Sequence, residues 1–251
     1  GGVDLDQSPN TITFNVTSVN DAPAGTDQTI TINEDNAYTF TAADFGFSDI
    51  SDSPANTLLA VKITTLPANG SLTLSGVAVT AGQTITAANI PNLTWTPAAN
   101  ANGTGLANFT FQVQDTGGTA NGGVDLDQTP NTITFNVTSV NDAPAGTDKT
   151  ITTLEDSSYT LTAADFGFTD LNDSPANSLT AVTITTLPGA GNLQLSGVNV
   201  TAGQSITAAN IAAGNLRFVP TANANGTGYA NFTFQVQDTG GTANGGVDLD
   251  Q

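Results

Sequence analysis

Apolar and polar residues alternate along much of this chain in short runs with a period of two. Asn131–Ser139 (NTITFNVTS) sets Ile133, Phe135 and Val137 on one face and Thr and Asn on the other, the pattern of a half-buried strand. Leu106–Gln114 repeats it with Phe109, Phe111 and Val113. Thr29–Asn33, Tyr38–Thr41, Leu58–Leu66, Ser71–Leu74, Val77–Thr80 and Leu93–Thr96 read as further strands, rich in β-branched residues. Turn signals separate them: Pro67–Gly70 with its Asn69-Gly70 pair, Ser75-Gly76, an acidic loop over Asp44–Pro54, a loop over Pro97–Gly105 and a Gly-rich stretch over Thr116–Gln128. Ala87–Ile90 is expected to form a single helical turn, and no segment carries the 3.6-residue apolar period of a longer helix.

The pattern occurs twice. Gly1–Gln7 recurs at Gly122–Gln128 and again at Gly245–Gln251. Val19–Pro23 (VNDAP) recurs at Val140–Pro144, Glu34-Asp35 at Glu155-Asp156, and Ala42–Phe47 at Ala163–Phe168. The offset is 121 positions up to Ile90 and Ile211. Two extra residues then make it 123, aligning Trp95 with Phe218 and Asp115 with Asp238. A period of this length suits a string of domains rather than a solenoid. The natural unit runs from about Ala24 to Ser139. Residues 1–21 are therefore expected to be the last strand and linker of a preceding repeat, 22–141 a complete repeat, and 142–251 a second repeat lacking its last strand. The chain opens in mid-motif at Gly1-Gly2-Val3 and reads as a mature or excised segment.

Seven or eight short strands in about 115 residues, with turns between them, predict an all-β fold: tandem Greek-key β-sandwiches of cadherin or immunoglobulin-like type. Trp95 lies on a strand and aligns with Phe218, which makes it a core residue rather than a sugar-stacking one.

Composition narrows the function. Lys and Arg number 3 against 22 Asp and Glu, giving a formal net charge of -19. Lys62, Lys149 and Arg217 cannot form a basic patch, which excludes nucleic-acid binding and attraction to anionic membranes. No apolar stretch approaches the roughly 18 residues of a membrane span, and no signal peptide is present. With no Cys and no His, disulfides, thiolate sites and the commonest catalytic base are absent. Scattered acids would only keep the chain solvated; here they cluster at fixed loop positions, which points to a divalent hard cation.

The linker Val19-Asn20-Asp21-Ala22-Pro23, the Glu34-Asp35 pair, the acidic loop Ser48-Asp49-Ile50-Ser51-Asp52 and the strand end Phe111-Gln112-Val113-Gln114-Asp115 together resemble bacterial cadherin-like repeats. Such repeats build the extender regions of RTX-type adhesins and other giant surface proteins. Thr65–Leu72 and Gly76–Ile90 are also similar to chondroitin-sulfate-proteoglycan-type cadherin repeats. The resemblance covers both repeats and implies β-sandwiches with calcium at their junctions, in an extracellular or bacterial cell-surface spacer. The linker departs from true cadherins, carrying Asn-Asp where they have a longer acidic run.

In a cadherin-like sandwich the first-to-second-strand turn lies near the outgoing linker and the second-to-third-strand loop near the incoming one. This places Glu34 and Asp35 against Asn141, Asp142, Asp170 and Asp173, and Asn20 and Asp21 near Asp49 and Asp52. Asp115 and Asp238 end strands that rise toward the same end, and Glu155 and Asp156 repeat the Glu-Asp corner. These residues offer only oxygen donors, which suit Ca2+ better than zinc or copper. Asp and Asn also serve as turn formers and caps, a reading that fits Glu34-Asp35 least.

Ser and Thr are plentiful, but none has a His or a plausible Lys as base, so no nucleophilic catalysis is expected. A Lys–Asn isopeptide crosslink fails the repeat, since Lys62 aligns with Thr183 and Lys149 with Gln28. Three functions remain: a non-enzymatic, calcium-rigidified spacer of a surface protein, the subunit of an extracellular filament or sheath joined to copies of itself by donated β-strands, and a carbohydrate-binding module. The adhesion ligand is not legible in the sequence.

Overall fold

The computed structural model describes residues 1–2, 4, 6 and 8–251. Val3, Leu5 and Gln7 of the first repeated heptapeptide lie outside the described residues. Two compact units form: residues 1–30, 37–95 and 107–134 make the first, and residues 31–36, 96–106 and 135–251 the second. Glu34 and the tip residues 31–33, 103–106 and 135–138 of three first-repeat strands thus belong to the second unit.

The first repeat has nine strands: β1 Gln28–Asn33, β2 Tyr38–Thr39, β3 Leu58–Ile63, β4 Ser71–Leu74, β5 Val77–Ala78, β6 Thr84–Thr86, β7 Leu93–Thr96, β8 Gly103–Asp115 and β9 Asn131–Thr138. They form two sheets, in the orders β1-β9-β8-β3-β6 and β2-β7-β4-β5. The fold is all-β, as the alternation predicts. Register follows the apolar faces, with Val61 opposite Val113 and Ile63 opposite Phe111. Phe40, Phe45, Phe109 and Phe111 are fully buried and meet edge-to-face or tilted, Phe45 against Phe111 at 4.9 Å and Phe40 against Phe109 at 5.7 Å. Trp95 is buried, and its indole N–H donates to the Asn69 carbonyl at 3.2 Å.

Several boundaries differ from the sequence reading. The second strand stops at Thr39, because Thr41 caps a 3-10 turn over Ala42–Phe45. Asp44 Oδ2 accepts from the Thr41 amide at 2.7 Å and the Thr41 hydroxyl at 3.0 Å, so Asp44 is a cap and the acidic loop starts later. The third strand ends at Ile63 and the fifth at Ala78, while β8 begins earlier, at Gly103. Strand β6 has no counterpart in the sequence reading: with Ile85 its one apolar residue, three residues give no visible period.

The second repeat follows the same course with β10 Tyr159–Thr160, β11 Leu179–Ile184, β12 Asn192–Leu195, β13 Val198–Asn199, β14 Ser205–Thr207, helix α1 Ala208–Ala212, β15 Leu216–Val219 and β16 Phe234–Asp238. Its sheets run β14-β11-β16 and β10-β15-β12-β13. Residues 149–154, which match β1, form no strand, and neither do residues 226–233, which match the start of β8. In the first repeat β9 lies between those two segments. The second repeat has no described strand in that place, so both flanks lose their hydrogen-bond partner. Burial falls accordingly: Phe109 and Phe111 are fully buried, but their counterparts Phe232 and Phe234 only partly.

The strand expected over Thr11–Val16 is not formed either. Ile12, Phe14 and Val16 are 79%, 83% and 92% exposed and pair with nothing described, whereas the same sequence in β9 buries Ile133 and Phe135 fully. Alternation makes a strand possible, and only a neighbouring strand makes it form.

Urea unfolding measures this difference. Phe111→Ala is expected to cost the first repeat ~3–5 kcal/mol, and Phe234→Ala, at the matching half-buried position, under ~2 kcal/mol. Fluorescence of Trp95, the chain's one tryptophan, reports the first repeat, and circular dichroism, which sums both repeats, gives the second by difference.

Candidate metal centre

Five acidic side chains gather in the second unit. Glu34 stands in the turn after β1, Asp142 in the Asn-Asp-Ala-Pro linker, Asp170 and Asp173 in the loop before β11, and Asp238 at the end of β16. Carboxylate oxygens of Glu34, Asp142 and Asp173 lie within 4.8 Å of one another, and so do those of Asp170, Asp173 and Asp238. Asp173 is common to both groups. Glu34, Asp170, Asp173 and Asp238 are buried, and Asp142 is half-buried.

Asn141 organises the cluster. Its amide nitrogen donates to the Asp238 carboxylate at 3.2 and 3.3 Å and to the Val247 carbonyl at 2.7 Å. Its Oδ1 accepts from Asn177 Nδ2 at 2.6 Å. The Asn177 backbone N–H donates to Asp170 Oδ2, and the Asp142 N–H to Asp173 Oδ2 at 3.1 Å. Asp238 also accepts from the Gly240 N–H at 2.8 Å. A Cβ on Gly240 would lie 1.6 Å from Asn141 Oδ1, so only glycine allows this approach.

Glu34 is fixed from the other side. Its Oε1 accepts from the Val140 N–H at 2.5 Å and its Oε2 from Asn102 Nδ2 at 2.9 Å. Beside it, Asp35 accepts from the Asn100 N–H at 3.2 Å. These bonds orient the carboxylates but do not exhaust them. Asp142 Oδ2 and Asp170 Oδ1 are buried and have no hydrogen-bond partner. No Lys or Arg compensates: among the described residues the one ion pair is Lys149 with Asp165, at 2.7 Å.

The electrostatics follow. Burial pushes the Asp173 carboxyl up to about 6, with Asp170 adding to the rise. Burial also raises Asp142, assisted by the charges of Asp35, Glu34 and Asp170, and raises Asp238, assisted by Asp170 and Asp248. Burial is the largest cause of each shift, and neighbouring carboxylates add to it. The donors are all oxygen, the acids are crowded, and two oxygens are orphaned. That set fits a hard divalent cation, which Glu34, Asp142 and Asp173, or Asp170, Asp173 and Asp238, could hold.

The first unit repeats the scaffold with fewer acids. Asn20 Nδ2 donates to Asp115 at 3.1 and 3.3 Å and to the Val124 carbonyl at 2.7 Å, and Asn20 Oδ1 accepts from Asn56 Nδ2 at 2.6 Å. The Asp21 N–H donates to Asp52 Oδ2 at 3.0 Å. Asp49 Oδ1 is buried without a partner, as its counterpart Asp170 Oδ1 is. Asp21 is exposed, and none of Asp21, Asp49, Asp52 and Asp115 falls in a close carboxylate group among the described residues. Glu155 and Asp156 do not either. Glu155 accepts from Asn225 Nδ2 and Asp156 from the Asn223 N–H, both at 2.8 Å, and both acids are exposed. Asn20 and Asn141 were legible in the linker motif, but Asn56, Asn177, Asn100 and Asn102, which also bond to the site, were not. The repeat could have exposed them, since Asn56 recurs as Asn177, and Asn100 and Asn102 as Asn223 and Asn225.

A bacterial Ig domain model matches residues 20–127, and a cadherin-like model matches residues 144–245. The two repeats are thus similar to Ig-like and cadherin-like domains, in keeping with the all-β sandwich fold. No curated protein and no solved structure matches it. Cadherin-like domains generally bind calcium, and the acidic groups here could hold an ion. Ig-like and cadherin-like repeats are typically non-enzymatic and typically extracellular or surface-exposed. No helix among the described residues is long and apolar enough to cross a membrane.

The pH dependence has a definite sign. Without metal, the folded state binds the Asp173 proton more tightly than the unfolded chain does, so the contribution of this group to stability is full below about pH 4 and is lost as pH rises through about 6. Thermal melts in a chelator are expected to show this fall for the second unit, and Asp173→Asn to flatten it. A melting temperature that rises over the same range would contradict the assignment.

Proposed function

We propose that this chain is a calcium-stiffened structural or adhesive segment of a bacterial surface protein. The observation that carries the reading is the pair of buried, unpaired oxygens, Asp142 Oδ2 and Asp170 Oδ1, inside a group of carboxylates with no cationic side chain among them. Burying unpaired negative charge costs several kcal/mol, and a divalent cation removes that cost. Calcium suits the site because it takes six to eight oxygens in flexible geometry, from carboxylates, amides, backbone and water. Extracellular modules of this kind bind at roughly 10⁻⁴–10⁻³ M, matched to extracellular calcium.

The mechanical consequence follows from where the ligands come from. Glu34 belongs to the first sequence repeat, Asp142 to the linker, and Asp170, Asp173 and Asp238 to the second repeat. One cation on Glu34, Asp142 and Asp173 would fasten three segments of chain that otherwise repel. Removing it restores the repulsion and loosens the linker, so stiffness depends on calcium. The function is passive, and it scales with the number of repeats.

A second reading, the subunit of a self-assembling extracellular filament, is favoured by the exposed apolar face of Ile12, Phe14 and Val16. A carbohydrate-binding module has less support, because Trp95 is buried in the core.

Calcium at a hundredfold excess over its Kd is expected to stabilise the second unit by about 2.7 kcal/mol, raising its Tm by about 5–10 °C over the protein in EGTA. Calorimetric titration of the Asp142→Asn, Asp173→Asn double variant is expected to show binding at least about tenfold weaker. Small-angle scattering should report a more flexible chain in EGTA. Equal melting temperatures and equal scattering with and without calcium would defeat the proposal.

A further inference from the structure

The Gly-rich loop after β8 grips the linker of its own repeat through one valine, and the loop after β16 does the same. The Val124 N–H donates to the Asn20 carbonyl at 2.9 Å, and the Val124 carbonyl accepts from Asn20 Nδ2 at 2.7 Å. The Val247 N–H and carbonyl bond in the same way to Asn141, at 2.8 and 2.7 Å. The approach is close: a Cβ on Gly123 would lie 3.0 Å from Asn20 Cβ, and one on Gly246 3.1 Å from Asn141 Cβ. The loop has no slack where it holds the linker.

Three residues before each valine stands the asparagine of an Asn-Gly pair, Asn121-Gly122 and Asn244-Gly245. Both asparagines lie in the left-handed region, at φ 57°, which asparagine visits more readily than most residues and glycine adopts freely. Both are exposed, and among the described residues their side-chain amides make no hydrogen bond. The glycine after each is exposed too, with open space where a Cβ would stand. The other three Asn-Gly pairs of the chain are held. Asn102 and Asn225 donate to Glu34 and Glu155 at 2.9 and 2.8 Å. The Asn69 carbonyl accepts from the buried Trp95 indole at 3.2 Å.

We propose that Asn121 and Asn244 are sites of spontaneous deamidation, and that the modification releases each linker asparagine from its loop. Asparagine is thermolabile, and a following glycine, having no side chain, leaves its own nitrogen open to close a ring. The Gly122 nitrogen attacks Cγ of Asn121. The N–Cγ bond forms, the Cγ–Nδ2 bond breaks, and Nδ2 leaves as ammonia with the proton of the Gly122 N–H. Water then adds to one carbonyl of the cyclic imide and breaks its bond to the Gly122 nitrogen, which regains a proton. Opening at Cγ gives aspartate. Opening at the α-carbonyl gives isoaspartate, whose main chain runs through Cβ and is one atom longer. Water is the only co-reactant, and Asn244 with Gly245 follows the same course.

Both products disturb the grip. The longer isoaspartate main chain has no room to fit beside Gly123, which already touches Asn20. The new carboxylate adds negative charge to a loop that carries Asp125 and Asp127. The bonds between Val124 and Asn20 lie nearest the change and give way first. Asn20 keeps its bonds to Asp115 and Asn56, and Asn141 keeps those to Asp238 and Asn177. The Gly-rich loop therefore detaches while the acidic loops stay in place. This release is independent of the calcium reading above.

The test stores the 251-residue chain in warm, mildly alkaline buffer and follows it by peptide mass spectrometry. Positions 121 and 244 are expected to deamidate at least about tenfold faster than 102 and 225, whose amides first have to break a bond to a carboxylate. Hydrogen exchange reads the consequence. The Val124 and Val247 amides of the aged chain are expected to lose protection at least about tenfold. The Asn121→Gly, Asn244→Gly variant keeps the left-handed backbone without the reactive amide, and is expected to age with that protection intact. Deamidation at 121 and 244 that is no faster than at 102 and 225 overturns the assignment of the sites. Protection that survives complete deamidation, or that the glycine variant loses equally, overturns the release of the linker.

Discussion

A strand in the interior of a sheet needs hydrogen-bonded neighbours on both sides, and this protein is organised around one such strand. In the first repeat β9 lies between β1 and β8 and puts Ile133, Phe135 and Val137 into the core. With it in place, β8 extends over 13 residues and β1 over 6. The second repeat serves as an internal control. The residues are nearly the same, but no described strand occupies that position, and the β8 counterpart shrinks to the 5 residues of β16 while the β1 counterpart forms no strand. Cooperativity in the sheet is thus visible within one chain. An unpaired backbone loses its ladder, the ladder loses its register, and aromatic rings that register had aimed inward are left half-exposed.

The same strand bears on the acidic centre. β9 ends at Thr138, whose carbonyl receives the Glu34 N–H, and two residues on, the Val140 N–H meets the Glu34 carboxylate. Glu34 is held beside the linker as a result, and the linker carries Asp142 to Asp173. In the second repeat, where no described strand takes that place, Glu155 accepts from Asn225 and is exposed. Packing and electrostatics are therefore coupled: apolar burial along one strand sets how closely the carboxylates approach at its end. With only three cationic side chains in the chain and none of them at this cluster, an ion could take the place that a Lys or Arg would otherwise fill.

Amide side chains decide how the acids are held. Asn141 bridges Asp238, Asn177 and the Val247 carbonyl, so the linker is fixed by a neutral hub that donates to one carboxylate and leaves others free for a cation. Asn20 does the same in the first unit. An Asp at this position would add repulsion and lose two donors, which explains why the linker reads Asn-Asp rather than a longer acidic run.

The sequence by itself determined the all-β class, the repeat and most strand positions, because a period of two and paired turn residues are local signals. Ser71–Leu74 and Leu93–Thr96 emerge with the predicted bounds. It also marked which acids belong to loops, since Asp and Glu at fixed repeat positions are visible without coordinates. What it could not show was which of those acids meet. Glu34 and Glu155 occupy the same repeat position, each followed by Asp, yet one is buried beside two carboxylates and the other is exposed. Likewise Thr11–Val16 and Thr132–Val137 are identical, and one is solvated while the other forms the middle of a sheet. Only the tertiary structure decided these cases, because strand pairing and carboxylate crowding are contacts between segments about a hundred residues apart, and no local pattern carries them.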